Sequence, residues 1–134
     1  MDKIEHIGIA VKDLEKSNSL FAALFGEPHY KTEEVESEGV KTSFFKTGPN
    51  KIELLEATKP DSPIAKFIEK KGEGIHHIAF AVTDIISEIK RLQKEGFTVL
   101  NEVPKKGADN KLVAFLHPKT TNGVLIELCQ EITE

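Results

Sequence analysis

Cysteine occurs once, at Cys129, so no internal disulfide can form and a reducing, cytoplasmic setting is expected. A basic excess is also missing: 18 Lys and Arg stand against 22 Asp and Glu, a formal net charge of −4. That balance argues against nucleic acid as the main partner, because phosphate recognition needs a basic footprint. No apolar run approaches the roughly 20 residues of a membrane-crossing helix. The opening MDKIEHIGIAV lacks the basic start and small-residue cleavage site of a secretory leader. The expectation is one soluble domain spanning residues 1–134, with no membrane partner.

The chain does contain an internal repeat. IEHIGIAVKD (4–13) and IHHIAFAVTD (75–84) share six of ten positions, which aligns His6 with His77 and Glu5 with His76. In the first half IEHIGIAV reads as a strand. DLEKSNSLFAALFG (13–26) reads as a helix with Leu14, Leu20, Phe21, Leu24 and Phe25 as its stripe. VKTSFFKTG (40–48) and NKIELLEA (50–57) form a strand pair across a tight turn. The second half repeats this order, with a helix at 84–96 and strands at 97–103, 111–118 and 123–129. Between them, DSPIAKFIEKKG (61–72) is a linker helix, capped by Ser62, with Pro63 in its first turn and Gly72 as its stop. The fold class is therefore α+β: two βαβββ modules, at about 1–58 and 73–134.

Alternation along a strand separates two faces. Ile7, Ile9 and Val11 share one face, and His6 shares the other with Ile4, Gly8 and Ala10. In the second copy His76, Ile78, Phe80 and Val82 lie opposite His77, Ala79 and Ala81. The larger residues are expected against the helices, leaving room beside His6 and His77. His76 is then structural or peripheral.

KIELLE and VLIELC share Ile-Glu-Leu, which pairs Glu53 with Glu127. A lone strand histidine is usually a hydrogen-bonded structural residue, and a lone strand glutamate usually faces solvent. The same His and Glu in both copies, at offsets of 47 and 50 residues, outweigh that reading. Two imidazoles and two carboxylates suit Co, Ni, Mn, Fe or Zn, whereas calcium prefers oxygen throughout. The residues alone do not choose among these metals.

HIGIAVKDLEKS, TGPNKIELLEATKPDSPIAKFIEKKGEGIHHIAFAV and VAFLHPKTTNGVLIEL resemble the methylmalonyl-CoA epimerases of the vicinal oxygen chelate superfamily. The resemblance covers nearly the whole chain. It implies a curved, barrel-like mixed sheet around a metal site, with a divalent ion held by His6, Glu53, His77 and Glu127. Co2+ is the implied metal, with Ni2+, Mn2+ or Zn2+ as alternatives. The implied substrate is a small acyl-CoA, epimerised at the carbon α to the thioester, and the implied assembly is a homodimer. Glu127 and Glu53 are the candidate bases. One departure stands out: some epimerases carry a further glutamate where GVKTSFF places Thr42, and threonine is not a competent base.

Other features carry weaker expectations. The loop HPKTTNG (117–123), with its backbone N–H groups and Lys119, is a candidate cradle for the substrate carboxylate, with an ordinary turn as the equal alternative. Lys105, Lys106 and Lys111 are candidates for CoA phosphates, with a solvated loop favoured over that role. Glu33, Glu34, Glu36 and Glu38 read as a solvated acidic stretch, and Cys129 as a packed thiol. The rival functions are a glyoxalase I-like isomerase acting on a glutathione hemithioacetal and a metal-free resistance-type binding protein. An extradiol dioxygenase is the remotest, since Glu53 would be superfluous to a three-ligand site.

Overall fold

Asp13 and Asp84, aligned by the repeat, begin helices in the same way. In the computed structural model, which describes residues 1–133, each sits in extended backbone and its carboxylate accepts a backbone N–H three residues on, at 3.0 Å from Lys16 and 3.1 Å from Ser87. An aspartate in that position satisfies one of the orphan donors of a helix start. Helices α1 (Leu14–Phe25) and α3 (Ile85–Lys94) follow. Gly26 ends α1 with φ 77°, a left-handed conformation that costs glycine nothing. Helix α2 (Pro63–Lys71) has Ser62 as its cap, accepting from the Ala65 N–H at 3.1 Å.

The chain divides into two compact units, residues 6–76 and residues 1–5 with 77–134. In the first, β1 (Lys3–Ala10), β2 (Lys31–Val35), β3 (Val40–Thr47) and β4 (Asn50–Ala57) are ordered β2-β3-β4-β1. Strand β1 runs parallel to β4 and the other pairs are antiparallel. The second unit repeats the plan as β6-β7-β8-β5, from β5 (Gly74–Ala81), β6 (Lys105–Lys106), β7 (Lys111–Leu116) and β8 (Ile126–Glu131). Strand β5 runs parallel to β8.

Each unit buries one sheet face under α1 or α3, and in the first unit α2 packs on part of the other face, where Ile64 meets Ala10, Val40 and Leu55. Val11, Leu14, Phe45 and Leu54 pack with Phe21 and Phe25 in the first. Val82, Ile85, Ile89, Leu92, Leu116 and Leu128 form the matching core of the second. Each fully buried side chain among them contributes about 1.5–3 kcal/mol. Ile52 and Leu54, and likewise Ile126 and Leu128, join these apolar layers as the Ile-Glu-Leu repeat requires. The glutamate between them is thereby turned to the other face.

Two expectations need correction, and one strand was not located. Leu20 and Leu24 are 65% and 69% exposed, so the stripe of α1 that meets the sheet is the buried Leu14 with the half-buried Phe21, Ala22 and Phe25. The element not located from the sequence is edge strand β2, which holds Glu33 and Glu34; these and the following Glu36 and Glu38 are exposed or half-buried, as expected of a solvated acidic stretch. A run of glutamates hides the alternation that strand pairing imposes. The strand expected at 97–103 is reduced to a single bridge between Val99 and Leu116. The Asn101 amide replaces the ladder there, donating to the Val113 carbonyl at 3.1 Å and accepting from the Phe115 N–H at 2.9 Å. Pro104, without an N–H, separates this segment from the short β6.

Candidate metal and acid–base site

Register explains how each unit places a histidine beside a glutamate. In the first, Glu53 lies opposite Gly8 on the parallel neighbour, two residues along from His6 on the same face. In the second, Glu127 lies opposite Ala79, two residues along from His77. Glycine and alanine leave the space that a larger side chain would take, so the imidazole can lean over its neighbour. His6 Nε2 comes to 3.3 Å from Glu53 Oε1, and His77 Nε2 to 3.4 Å from Glu127 Oε1.

All four side chains are buried, with residue exposures of 6% for His6, 4% for Glu53, 4% for His77 and 7% for Glu127. Burying a carboxylate beside an imidazole is costly unless each answers the other or a cation answers both. That cost is met twice, in the same way, in the two units. Such a pair can donate nitrogen and oxygen to a borderline divalent ion, or hold and pass a proton.

An aromatic wall, not foreseen from the sequence, completes each pair. Phe44 is the antiparallel partner of Glu53, and Phe115 that of Glu127. The Phe115 ring meets His77 edge-on, with centroids 6.2 Å apart at 88°. Phe44 and Phe115 are separated by the same interval as His6 and His77, which is the signal that could have found them.

The remaining candidates are placed as follows. His76 faces away from the His77 side and packs edge-on against Phe67 of α2, centroids 4.9 Å apart. Thr42 is fully buried on the Glu53 side of β3, with its hydroxyl 3.4 Å from the Glu33 carbonyl. Cys129 is buried, with its thiol directed at the Phe80 carbonyl.

In the loop at 117–123 the backbone N–H groups follow the ordinary-turn alternative rather than the cradle. The N–H groups of Lys119, Thr120, Thr121 and Gly123 donate within the loop, to His117 and Pro118. Lys111 is buried and held 3.2 Å from Glu131, so it is not available to CoA phosphates. Lys105 and Lys106 are exposed on β6.

The model of the glyoxalase/bleomycin resistance protein/dioxygenase superfamily matches residues 5–115. The chain belongs to this superfamily. Within the superfamily, it is 39% identical over 131 residues to the mitochondrial methylmalonyl-CoA epimerase of Homo sapiens, covering 97% of this chain and 74% of the relative. It is 41% identical over 130 residues to an ethylmalonyl-CoA/methylmalonyl-CoA epimerase of Cereibacter sphaeroides, covering 96% and 97%. Among solved structures of the superfamily, a methylmalonyl-CoA epimerase in complex with methylmalonyl-CoA superposes with a TM-score of 0.95 at 35% identity, covering 99% of this chain and 96% of that one. Their shared α+β plan is the one predicted from the repeat.

Proposed function

We propose that the chain epimerises methylmalonyl-CoA at C2 by removing and returning the proton α to the thioester. The observation that carries this reading is the duplicated, buried His–Glu pair, 3.3 Å apart in one unit and 3.4 Å in the other. Relatives and solved structures bearing the epimerase name, matched over nearly the whole chain, support it.

The donor set fits a divalent metal: imidazole and carboxylate in equal number, each buried and each already beside its complement. His6, Glu53, His77 and Glu127 would hold one ion, Co2+ by the family resemblance, with Ni2+, Mn2+ or Zn2+ as alternatives. When bound, the ion supplies Lewis-acid stabilisation for the negative charge that builds on the thioester oxygen. Among the chain's own groups, Glu127 is the proposed base for one face of the planar intermediate and Glu53 for the other. Phe44 and Phe115 limit water around the carboxylates, which strengthens their interactions with a bound anion.

The deciding experiment is an epimerisation assay on methylmalonyl-CoA before chelation, after it, and after restoring single metals. Loss on chelation with recovery on Co2+ is expected; undiminished turnover by metal-free protein would refute the metal dependence. A homodimer is also proposed. The strand order ends in edge strands β2 and β6, and open edges are commonly covered by association. Light scattering at micromolar concentration should return twice the 14.9 kDa of one chain.

A further inference from the structure

The sheet face that carries His6 and Glu53 also carries a row of positive charge. By register, Lys31 lies opposite Phe44, and Phe44 opposite Glu53. In the next row Lys46 lies opposite Lys51, and Lys51 opposite His6. Three lysines are thus gathered on one face of a chain whose net charge is −4. Like charges directly across a strand pair destabilise it. On the same face of this unit, Glu53 is engaged with His6, and Glu33 lies 3.7 Å from Lys31.

The lysines are interleaved with aromatic rings. The Lys31 ammonium stands 5.2 Å from the centre of the Phe44 ring, and that of Lys46 stands 5.1 Å from the centre of Tyr30. Tyr30 itself is 44% exposed, with its ring centre 6.3 Å from that of Phe44. An ammonium group within about 6 Å of a ring centre is attracted by the negative face of the ring. A row of cations beside an exposed ring matches a nucleotide, with phosphates for the lysines and a base to stack on the tyrosine.

We propose that Lys31, Lys46 and Lys51, with Tyr30, bind the nucleotide end of a coenzyme A thioester whose acyl end reaches Glu53. This rests on the acyl-CoA reading above and assigns residues to its recognition. The flexible pantetheine arm lets the phosphates lie at the rim while the thioester reaches the buried carboxylate. Lys105, Lys106 and Lys111, which sequence alone singled out, take no part in it.

The test compares methylmalonyl-CoA with methylmalonyl-pantetheine, which has the same reacting end and no nucleotide. The variants are Lys31→Gln, Lys46→Gln and Lys51→Gln, singly and together, and Tyr30→Ala. For the CoA thioester, KM should rise about tenfold in the triple variant, with kcat nearly unchanged, as expected for about three modest exposed ion pairs. Its salt dependence should flatten. For the pantetheine thioester the same variant should match wild type. Equal effects on both substrates would mean that the lysines hold the acyl carboxylate, and no effect on either would mean a merely solvated patch; both overturn the proposal.

Calorimetric binding of coenzyme A itself gives a readout independent of turnover. Lysine-dependent binding in a protein that does not epimerise keeps this inference and removes the epimerase reading. Epimerisation with unchanged KM in the triple variant does the reverse. A melting curve recorded for each variant identifies any that has misfolded.

Discussion

Gln130 in β8 accepts a hydrogen bond from the Ile85 backbone N–H at 2.7 Å, closing the first turn of α3 from a strand 45 residues away. Glu56 in β4 does the same for the Leu14 N–H of α1, at 2.6 Å. A helix start has donors that its own hydrogen-bond pattern cannot satisfy, and here the strand bearing the site glutamate satisfies one of them. Glu53 and Glu127 are therefore tied, three residues away, to the helix that covers their sheet. Gln130→Met keeps the bulk and removes the acceptor, beside a fully buried Ile85. We expect a loss of about 1 kcal/mol in urea unfolding. Glu56→Gln keeps an acceptor and should cost less.

Metal binding should discriminate between adjacent histidines. His77 reaches Glu127, whereas His76 packs on Phe67. Metal content of purified protein should fall to background in His77→Ala and stay at the wild-type level in His76→Ala. Equal retention in the two variants would remove His77 from the ligand set.

The second unit should show an acid-sensitive contact on α3. A hydrogen bond from the Arg91 side chain holds the Glu88 carboxyl below its usual value of 4.5. The folded protein therefore binds fewer protons than the unfolded chain in this range. The stabilisation is fully present above about pH 4.5 and is lost as pH falls through the lower folded value. Glu88→Gln should melt slightly below wild type at neutral pH, and the gap should close in acid. A gap that widened toward low pH would contradict the assignment.

Much of this was legible because the duplication repeats chemistry at fixed spacing. His6 with His77 and Glu53 with Glu127 could be paired by alignment, and alternation then put each pair on the face opposite α1 or α3, although α2 packs on the His6 and Glu53 side through Ile64. The helix boundaries were equally readable, since Asp13, Asp84, Ser62 and Gly26 are local signals. What failed was nonlocal. No pattern in residues 97–103 shows that the Asn101 side chain will take the place of a backbone ladder. The Glu33–Glu34 strand exists because β3 offers an edge, and four nearby glutamates mask its period. Leu20 and Leu24 satisfy a helical stripe on paper, but only one side of α1 meets the sheet.

The last prediction concerns the two bases. Thr42 is buried with its hydroxyl near the Glu33 carbonyl, and an unactivated hydroxyl cannot take a carbon-bound proton at neutral pH. If the proposed epimerisation is right, that chemistry falls to carboxylates, and the duplication supplies Glu53 and Glu127. Glutamine at either position keeps a ligand oxygen and abolishes basicity. General acid–base catalysis contributes about 10²–10⁴-fold, so each variant should lose activity on that scale while retaining part of its metal. Because the two carboxylates are assigned to opposite faces, each loss should be larger for one epimer than for the other. Thr42→Val should stay within about tenfold of wild type, since it removes a single hydroxyl. The measurement is deuterium uptake at C2 from each separate epimer in deuterated buffer, with metal content determined for every variant. Full activity in metal-loaded Glu127→Gln would remove that residue from the base role. Symmetric losses from both epimers would make the two glutamates ligands only and assign proton transfer to other groups.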